Sequence, residues 1–361
     1  MTHKYQKTRF FRLFALSLVL WTTIGGNLLG VKAAENTSTD LLAQGHQSYQ
    51  QGNFEQAAES WTQASANFQQ KGDHANYVQA LIYVSRALTE MGKNHRAQLL
   101  LQTAIQSAQI HNYSQLLAQA MGQLGVLHLK VGEAEPALTI LQEGLKVART
   151  LQDRPLIATL LNDLGNTHVV LKNSAAAIAA YTETSILADS LDLHSLSIRA
   201  MINAGLVEIK TDAISNATLR LQQAWNTTRN LPDSHEKIQN FLTIGRALRD
   251  ISRKDIDHRT TLFTQASEAL QDGIHSAKAI GDWRQESYGW GFLAELYEEE
   301  GRHREALKLT QLAIRASQQG QAPESLYLWE WKTGQHLKQL GQLDEAILAY
   351  QRAIDTLQPI R

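Results

Sequence analysis

The sequence contains no cysteine and only five prolines in 361 residues. The absence of cysteine excludes disulfide bonds, thiolate nucleophiles, cysteine-ligated zinc and iron–sulfur clusters. It also excludes the lipid-bearing cysteine of a bacterial lipoprotein. Because proline is the residue that most strongly ends a helix, its scarcity allows helices to follow one another along the chain. With 43% hydrophobic residues, the composition favours a folded, helix-rich protein over a disordered or disulfide-stabilised one.

Acidic residues are missing from the first 33 positions, which contain five basic residues. The remaining chain has 29 basic and 35 acidic residues, so the overall net charge of −1 conceals a net charge of −6 after this segment. Such a balance favours solubility and provides no basic surface for nucleic acid or an anionic membrane. We therefore expect neither as a partner.

Residues 1–33 have the order of a secretory signal peptide: a basic segment, an apolar run from Leu13 to Trp21, and small residues before Ala34. The apolar run is shorter than the roughly 20 residues that a membrane span needs. This favours cleavage near Ala33 over a retained anchor, and predicts no membrane span after cleavage. Because no Arg-Arg pair is present, the general secretory route is favoured over the twin-arginine route. The sequence thus predicts a periplasmic or extracellular protein.

Small residues recur every 40 residues after this segment. They are Gly45, Gly125, Gly165, Gly205 and Gly245, with Ser85 at the missing position. Each is followed twelve residues later by an alanine, except the last: Ala57, Ala97, Ala137, Ala177 and Ala217. Small residues are required where two helices cross closely, and apolar residues recur between them at helical spacing. The period therefore indicates one antiparallel helix pair per repeat.

The repeats resemble the tetratricopeptide repeat (TPR) family. The residues that carry the resemblance are Trp290, Leu293, Tyr297, Gly301, Ala306 and Ala313, then Gly334, Leu337, Gly341, Ala346, Tyr350 and Ala353. The period of 40 rather than 34 residues resembles the long-repeat branch of the family. The resemblance implies an all-α, right-handed superhelical solenoid of about eight antiparallel helix pairs.

The solenoid is expected to occupy residues 34–361. Its repeats are predicted near 38–77, 78–117, 118–157, 158–197, 198–237, 238–286, 287–326 and 327–361. The sixth repeat is longer than the others, and we expect its charged residues 250–259 to form an inserted loop. Surface loops of this kind often carry binding residues, although a solvated insertion without a role is the simpler interpretation.

Motifs that carry chemistry are missing. The sequence has no His-Glu-x-x-His pair, no Gly-x-Ser-x-Gly elbow and no phosphate-binding Gly-Lys-Ser/Thr loop. We therefore predict no catalytic residue, no metal site and no cofactor, and expect that the protein is not an enzyme.

The resemblance implies that the first helices of successive repeats line a concave groove that binds a peptide or a partner protein. Seven polar residues fall on this groove: Asn162, Asn166, Arg199, Asn203, Lys210, Arg246 and Arg249. Asparagine amides can donate to and accept from a peptide backbone, while the neighbouring cations would favour acidic residues or a carboxylate. We expect Asn166 and Asn203 to face solvent. The alternative is that these residues merely solvate a helix face.

The leading hypothesis is thus an exported, non-enzymatic scaffold for protein–protein interaction. Residues Ala349–Arg361 resemble the junction that precedes a CHAT domain in bacterial TPR proteins, so the alternative is the repeat portion of a larger, protease-like CHAT protein. A periplasmic peptide-sensor subunit is a further alternative. At this end Ile354 and Leu357 are predicted to be exposed, on a face suited to self-association, a following domain or a partner.

Overall fold

The computed structural model describes residues 37–360, and the predicted signal peptide lies outside them. Within these residues the regular elements are helical. The helices are α1 (Ser38–Gln50), α2 (Phe54–Gln70), α3 (His74–Glu90), α4 (Asn94–Ile110), α5 (Ser114–Lys130), α6 (Ala134–Thr150), α7 (Arg154–Val170), α8 (Ser174–Asp189), α9 (His194–Lys210), α10 (Ile214–Arg229), α11 (His235–Ser252), α12 (Arg259–Ile280), α13 (Trp283–Glu299), α14 (His303–Gln319), α15 (Pro323–Gln339) and α16 (Leu343–Leu357), followed by a short 3₁₀ turn (Gln358–Ile360).

Consecutive helices pack as eight antiparallel pairs, which confirms the predicted all-α repeat architecture. From α3 to α10 a new helix begins every 20 residues, so the 40-residue period is one pair. The first helix of each pair from α3 to α9 begins four residues before the corresponding predicted repeat boundary. Three-residue turns join most of the helices. In the turn after α5, Gly132 adopts the left-handed conformation (φ 88°) that ends a helix at low cost for glycine.

The recurring glycine is explained by the side chain that it faces. A Cβ atom added to Gly165 would lie 2.5 Å from the ring of Tyr181, and one added to Gly334 would lie 2.6 Å from the ring of Tyr350. Both tyrosines come 16 residues after their glycine, on the second helix of the pair. The small residue on the first helix therefore makes room for a large side chain on the second, and this fixes their crossing.

The predicted loop 250–259 is shorter in the structure. Helix α11 continues to Ser252 and α12 begins at Arg259, so six residues connect them. The additional residues instead lengthen α12 to 22 residues. The connection is held by charge: Arg253 bonds to Glu299, and the Nζ of Lys254 donates to the carbonyl oxygen of Ile209 at 2.9 Å. These contacts to neighbouring helices explain why the segment is an ordered connection.

First helices of successive pairs contact one another from α3 to α15, whereas second helices contact each other more sparsely. The solenoid therefore presents a continuous inner face built from α3, α5, α7, α9, α11, α13 and α15. Within residues 37–360, none of the helices combines the length and the hydrophobicity that a membrane span requires.

Candidate partner-binding face

The seven predicted groove residues lie on three successive first helices. Asn162 and Asn166 are on α7, Arg199, Asn203 and Lys210 on α9, and Arg246 and Arg249 on α11. Arg199, Lys210 and Arg246 are exposed. We refer to the part of the inner face formed by α7, α9 and α11 as the central face.

Asn166 is the centre of a small hydrogen-bond network. Its Oδ1 accepts a hydrogen bond from the hydroxyl of Tyr181 at 2.7 Å, and the Nδ2 of Asn203 lies 3.5 Å from the same oxygen. Both asparagines are half-buried rather than freely exposed, which differs from the sequence prediction. The reason is that Tyr181 reaches through the space above Gly165 to the inner face. One acceptor thus joins α7, α8 and α9.

Asn162 lies deeper than predicted, with 4% of its surface exposed. Its Nδ2 donates to Asp163 at 3.3 Å, while its Oδ1 is buried without a hydrogen-bond partner among the described residues. Buried polar atoms are almost always paired in native proteins, so this carbonyl oxygen is an exception among the buried groups of the central face.

Asp163 is a member of the central face that the sequence analysis did not select. Its desolvated position raises the pKa of its carboxyl group to about 6, although Asn162, Arg199 and Arg86 each lower it. Burial raises the pKa of Tyr181, and the nearby carboxylate of Asp163 adds to this shift. The repeat could have revealed it, because Asp163 precedes Asn203 by one 40-residue period and therefore occupies the equivalent position.

Arg199 connects this network to a recess with a volume of about 860 Å³. The recess is open to solvent and lies over the first turns of α7 and α9 and the beginning of α5. Its lining combines apolar side chains such as Leu156 and Leu196 with Gln119, Thr159 and Arg199. A recess of this size is in the range of pockets that hold small ligands or several side chains of a peptide.

A second recess of about 240 Å³ lies on the other side of the central face, between α11 and α13. The guanidinium of Arg246 stacks 4.6 Å from the centre of the Phe292 ring, and Tyr288 and Thr243 complete the wall. Arg246 is among the residues predicted from the sequence, whereas the two aromatic residues, which belong to the next repeat, are not. Their contact follows from packing between pairs rather than from spacing along the chain.

Arg249 does not face the central groove as the sequence analysis expected. It is 8% exposed, and its Nη1 donates to Glu295 of α13 at 2.6 Å. Glu299 lies 3.6 Å from its Nε. A buried cation that is already paired with two carboxylates of the neighbouring helix has little freedom to bind a ligand.

The C-terminal helix presents an apolar outer surface. Ile354 is 52% exposed, whereas Leu357 is half-buried. Three further residues that were not predicted from the sequence are also exposed: Leu343, Ile347 and Leu348. We refer to these five residues as the α16 surface. Earlier second helices use the equivalents of Ile347 to pack on the following pair, as Leu307 does against α15 and α16.

The residues from 37 to 360 contain no group of three or more histidine, aspartate or glutamate side chains arranged to hold a metal ion. No protein-family model matches the sequence, and no curated protein matches it.

Solved structures do match. A Signal Transduction ATPase with Numerous Domains (STAND) protein with a tetratricopeptide repeat sensor, from Pyrococcus horikoshii, aligns with 82% of this chain at 16% identity and a TM-score of 0.59. The fold is a tetratricopeptide-type helical solenoid. The alignment covers 45% of the STAND protein, so less than half of that protein has a counterpart here.

Two further structures show the same fold. BtubC (BKLC) from P. vanneervenii aligns over 64% of this chain and 91% of its own, with 16% identity and a TM-score of 0.51. The apo form of RapI aligns over 78% of this chain and 98% of its own, with 15% identity and a TM-score of 0.50. At such identities the similarity concerns the fold alone.

Proposed function

We propose that this protein is a non-enzymatic interaction scaffold whose central face binds a peptide or a partner protein. The observation that carries the proposal is the arrangement on α7 and α9. There, the exposed Arg199 lines a recess of about 860 Å³ together with Thr159 and apolar side chains, and it lies close enough to the desolvated carboxyl group of Asp163 to lower the pKa of that group. Polar groups that converge next to an apolar recess are typical of binding sites.

The fold supports this proposal because solenoids present extended inner faces that are suited to other chains. The Pyrococcus protein has a tetratricopeptide repeat sensor, and this supports a recognition role for the repeats of the present chain. A peptide can donate and accept hydrogen bonds along its backbone, and amides such as Asn166 and Asn203 match this pattern.

The test is selection of peptides from a random phage-displayed library on the immobilised full-length chain, followed by calorimetric titration of those enriched. Arg199→Glu is expected to weaken binding at least tenfold, because it reverses the exposed charge beside the recess. Arg304→Glu on α14 is the matched control, since Arg304 is exposed and lies outside the inner face. Absence of enriched peptides, or equal loss in both variants, would contradict the proposal.

We also propose export by the general secretory route, on the basis of the order of residues 1–33. Determination of the N-terminal sequence of the protein from the envelope of its host tests this: cleavage near Ala33 supports export, and a retained Met1 in the cytosolic fraction contradicts it. The alternatives are the repeat portion of a CHAT protein and a periplasmic peptide sensor. They use the same inner face, and the comparisons add nothing to the CHAT resemblance of Ala349–Arg361.

The α16 surface is a second proposed contact region. A helix packed on Ile347 and Ile354 would gain roughly 1.5–3 kcal/mol for each side chain that it fully buries. Light scattering over a range of concentrations should therefore show less self-association for Ile354→Lys than for the parent chain. If the surface binds a partner instead, a pull-down with Ile354→Lys should recover less of that partner. Identical behaviour of the two proteins in both assays would contradict this proposal.

A further inference from the structure

A cleft on the outer side of the solenoid has no part in the proposed function. Its volume is about 440 Å³. Helices α12 and α14 form its two walls, and α13, on which both pack, forms its floor. The floor residues Trp290, Leu293 and Tyr297 lie on the side of α13 opposite to Glu295, the equivalent of Asn166, because a helix has about 3.6 residues per turn. The cleft is therefore separate from the inner face.

A cleft of the same origin lies three pairs earlier, on α6 and α7, and provides a reference. Helix α13 begins 129 residues after α7. With this offset, Leu145 and Leu164 of the earlier cleft correspond to Ile274 and Leu293 of the later one. The cleft is thus a feature of the repeat, and the residues in which the two clefts differ are those that give the later one its own chemistry.

The floor of the later cleft differs by two aromatic side chains. Trp290 replaces Leu161, and Tyr297 replaces His168. Leu161 is 4% exposed and does not line its cleft, whereas Trp290 is half-buried and does. The Nε1 of Trp290 donates to the buried carboxylate of Glu286 at 3.0 Å, which holds the ring in place. Because offset and edge contacts between rings are favourable, this floor favours a ligand with an aromatic ring.

Two charged pairs at the cleft are already balanced. On α12, the Nζ of Lys278 lies over the ring of Trp290 and 3.7 Å from the Oε1 of Glu286. On α14, the Nη2 of Arg302 lies 3.1 Å from the Oε1 of Glu305. Together the two pairs add no net charge to the cleft.

Lys308 is the charged residue that remains. It lies on the wall formed by α14, is exposed, and has no ion-pair or hydrogen-bond partner among residues 37–360. The equivalent residue of α8 is Ala179, so this ammonium group is not part of the repeat pattern. His275 on the opposite wall adds positive charge when it is protonated and never adds negative charge. A ligand with one negative charge therefore complements the cleft, and a cationic ligand does not.

We propose that this cleft is a binding site for a small aromatic monocarboxylate. The ring of the ligand packs on Trp290 and Tyr297, and its carboxylate accepts a hydrogen bond from the Nζ of Lys308. Ile274 and Leu309 enclose the ring from the two walls. The volume of the cleft is in the range of small-molecule sites. The site is independent of the proposed function, because it shares no residue with the central face.

Three probes with the same ring test the site: indole-3-acetate, indole-3-acetamide and tryptamine, which carry a negative, no and a positive charge. Calorimetric titration of the full-length chain measures their affinities. Indole-3-acetate is expected to bind more tightly than either of the others, by about fivefold or more. In the chain labelled with ¹⁵N-tryptophan, it should shift the indole N–H resonance of Trp290, which is assigned by its absence from Trp290→Leu.

Substitutions locate the two halves of the site. Lys308→Gln removes the unpaired charge and should weaken binding of indole-3-acetate by about fivefold or more. Lys146→Gln on α6 is the matched control and should leave the affinity unchanged, because Lys146 is also exposed and lines the earlier cleft. Trp290→Leu introduces the residue that the repeat has at Leu161, and it should also weaken binding. Circular dichroism establishes folding. If Trp290→Leu does not fold, Lys308→Gln still decides the outcome, since Lys308 is exposed.

Any of five results would overturn the site: equal affinities for the acid and the amide, tighter binding of tryptamine, no binding of any probe, an unshifted Trp290 resonance, or equal affinities of Lys308→Gln and Lys146→Gln for indole-3-acetate. The scaffold function is judged separately, by the peptide selection and Arg199→Glu. If selected peptides bind the central face but indole-3-acetate does not bind the cleft, the scaffold function stands and this inference is wrong.

Discussion

The hydrogen bond between Tyr181 and Asn166 provides a direct test of how the central face is held. Tyr181 is 2% exposed, and its hydroxyl donates to Asn166 Oδ1 at 2.7 Å. Asn166→Ala leaves this hydroxyl without an acceptor, which is expected to lower the free energy of unfolding by about 1–3 kcal/mol. Tyr181→Phe removes donor and bond together, so it should cost only about 0.5–1.5 kcal/mol.

The double variant distinguishes this explanation from simple loss of packing. Once Asn166 is alanine, the change of Tyr181 to phenylalanine removes an unsatisfied polar group and should be neutral or stabilising. The sum of the stability losses in the two single variants should therefore exceed the loss in the double variant by about 1 kcal/mol or more. Urea unfolding followed by circular dichroism measures all four proteins, with equal m-values as the requirement for comparison. Thr159→Ala, exposed on the same helix, should change stability by less than about 0.5 kcal/mol. Additive losses would refute the reasoning.

Three further predictions concern the packing, the titration and the ion pairs. Gly165→Ala should destabilise the protein by about 1–3 kcal/mol, because the new Cβ would lie 2.5 Å from the rigid ring of Tyr181. Gly205→Ala should cost less, because its Cβ would meet the flexible side chain of Leu221 at 3.1 Å. Equal decreases in the melting temperature of the two variants would contradict this prediction. The pKa of Asp163 is raised from 3.8 to about 6, so its contribution to stability is complete below the unfolded value and is lost as the pH rises through about 6. The free energy of unfolding of Asp163→Asn should therefore rise relative to that of the parent between pH 4 and pH 7, by at most about 3 kcal/mol. A difference between the two proteins that stays constant over this pH range would contradict the prediction. Arg249→Met should lower the free energy of unfolding by about 3 kcal/mol. Arg253→Met, on the exposed side of the same ion-pair network, should lower it by less than about 1 kcal/mol. Chemical unfolding of both variants measures the difference, and equal losses would show that burial does not determine it.

The helical architecture could be predicted because its determinants are periodic. A small residue every 40 positions, as at Gly165 and Gly205, is visible without any structure and implies a close helix crossing. The charged segment after Asp250 was harder to interpret. Its composition resembles a loop, but Arg253 and Arg259 have carboxylate partners on the end of α13, more than 40 residues later in the chain. Local polarity therefore suggested a longer loop than tertiary ion pairs allow.

The candidate site could be predicted only in part, for a different reason. Repeat register assigned Asn166, Asn203 and Arg249 to the same inner face, and their helices do line it. Register does not determine which of them is already engaged by another helix. Arg249 is withdrawn into a pair with Glu295, and Asn166 is shared with Tyr181. Glu295 comes from the next repeat and Tyr181 from the second helix of the same pair, so these contacts depend on which side chain another helix supplies and not on the position within one helix.

The inner face also has a pattern across repeats, which leads to a prediction about the length of the proposed peptide ligand. The residues equivalent to Asn166 at 40-residue intervals are Arg86, Val126, Leu206 and Arg246. Arginines thus lie at both ends, apolar side chains at the intermediate helices, and the amide in the centre. With neighbouring helices about 9 Å apart, four steps from Arg86 to Arg246 span roughly 36 Å, which an extended chain covers in about 10 or 11 residues. We therefore expect peptides of this length with an acidic residue near each end to bind at least tenfold more tightly than six-residue peptides with the same centre. Calorimetric titration of such a length series measures this, and affinity that does not depend on length would show that the ligand contacts the centre alone.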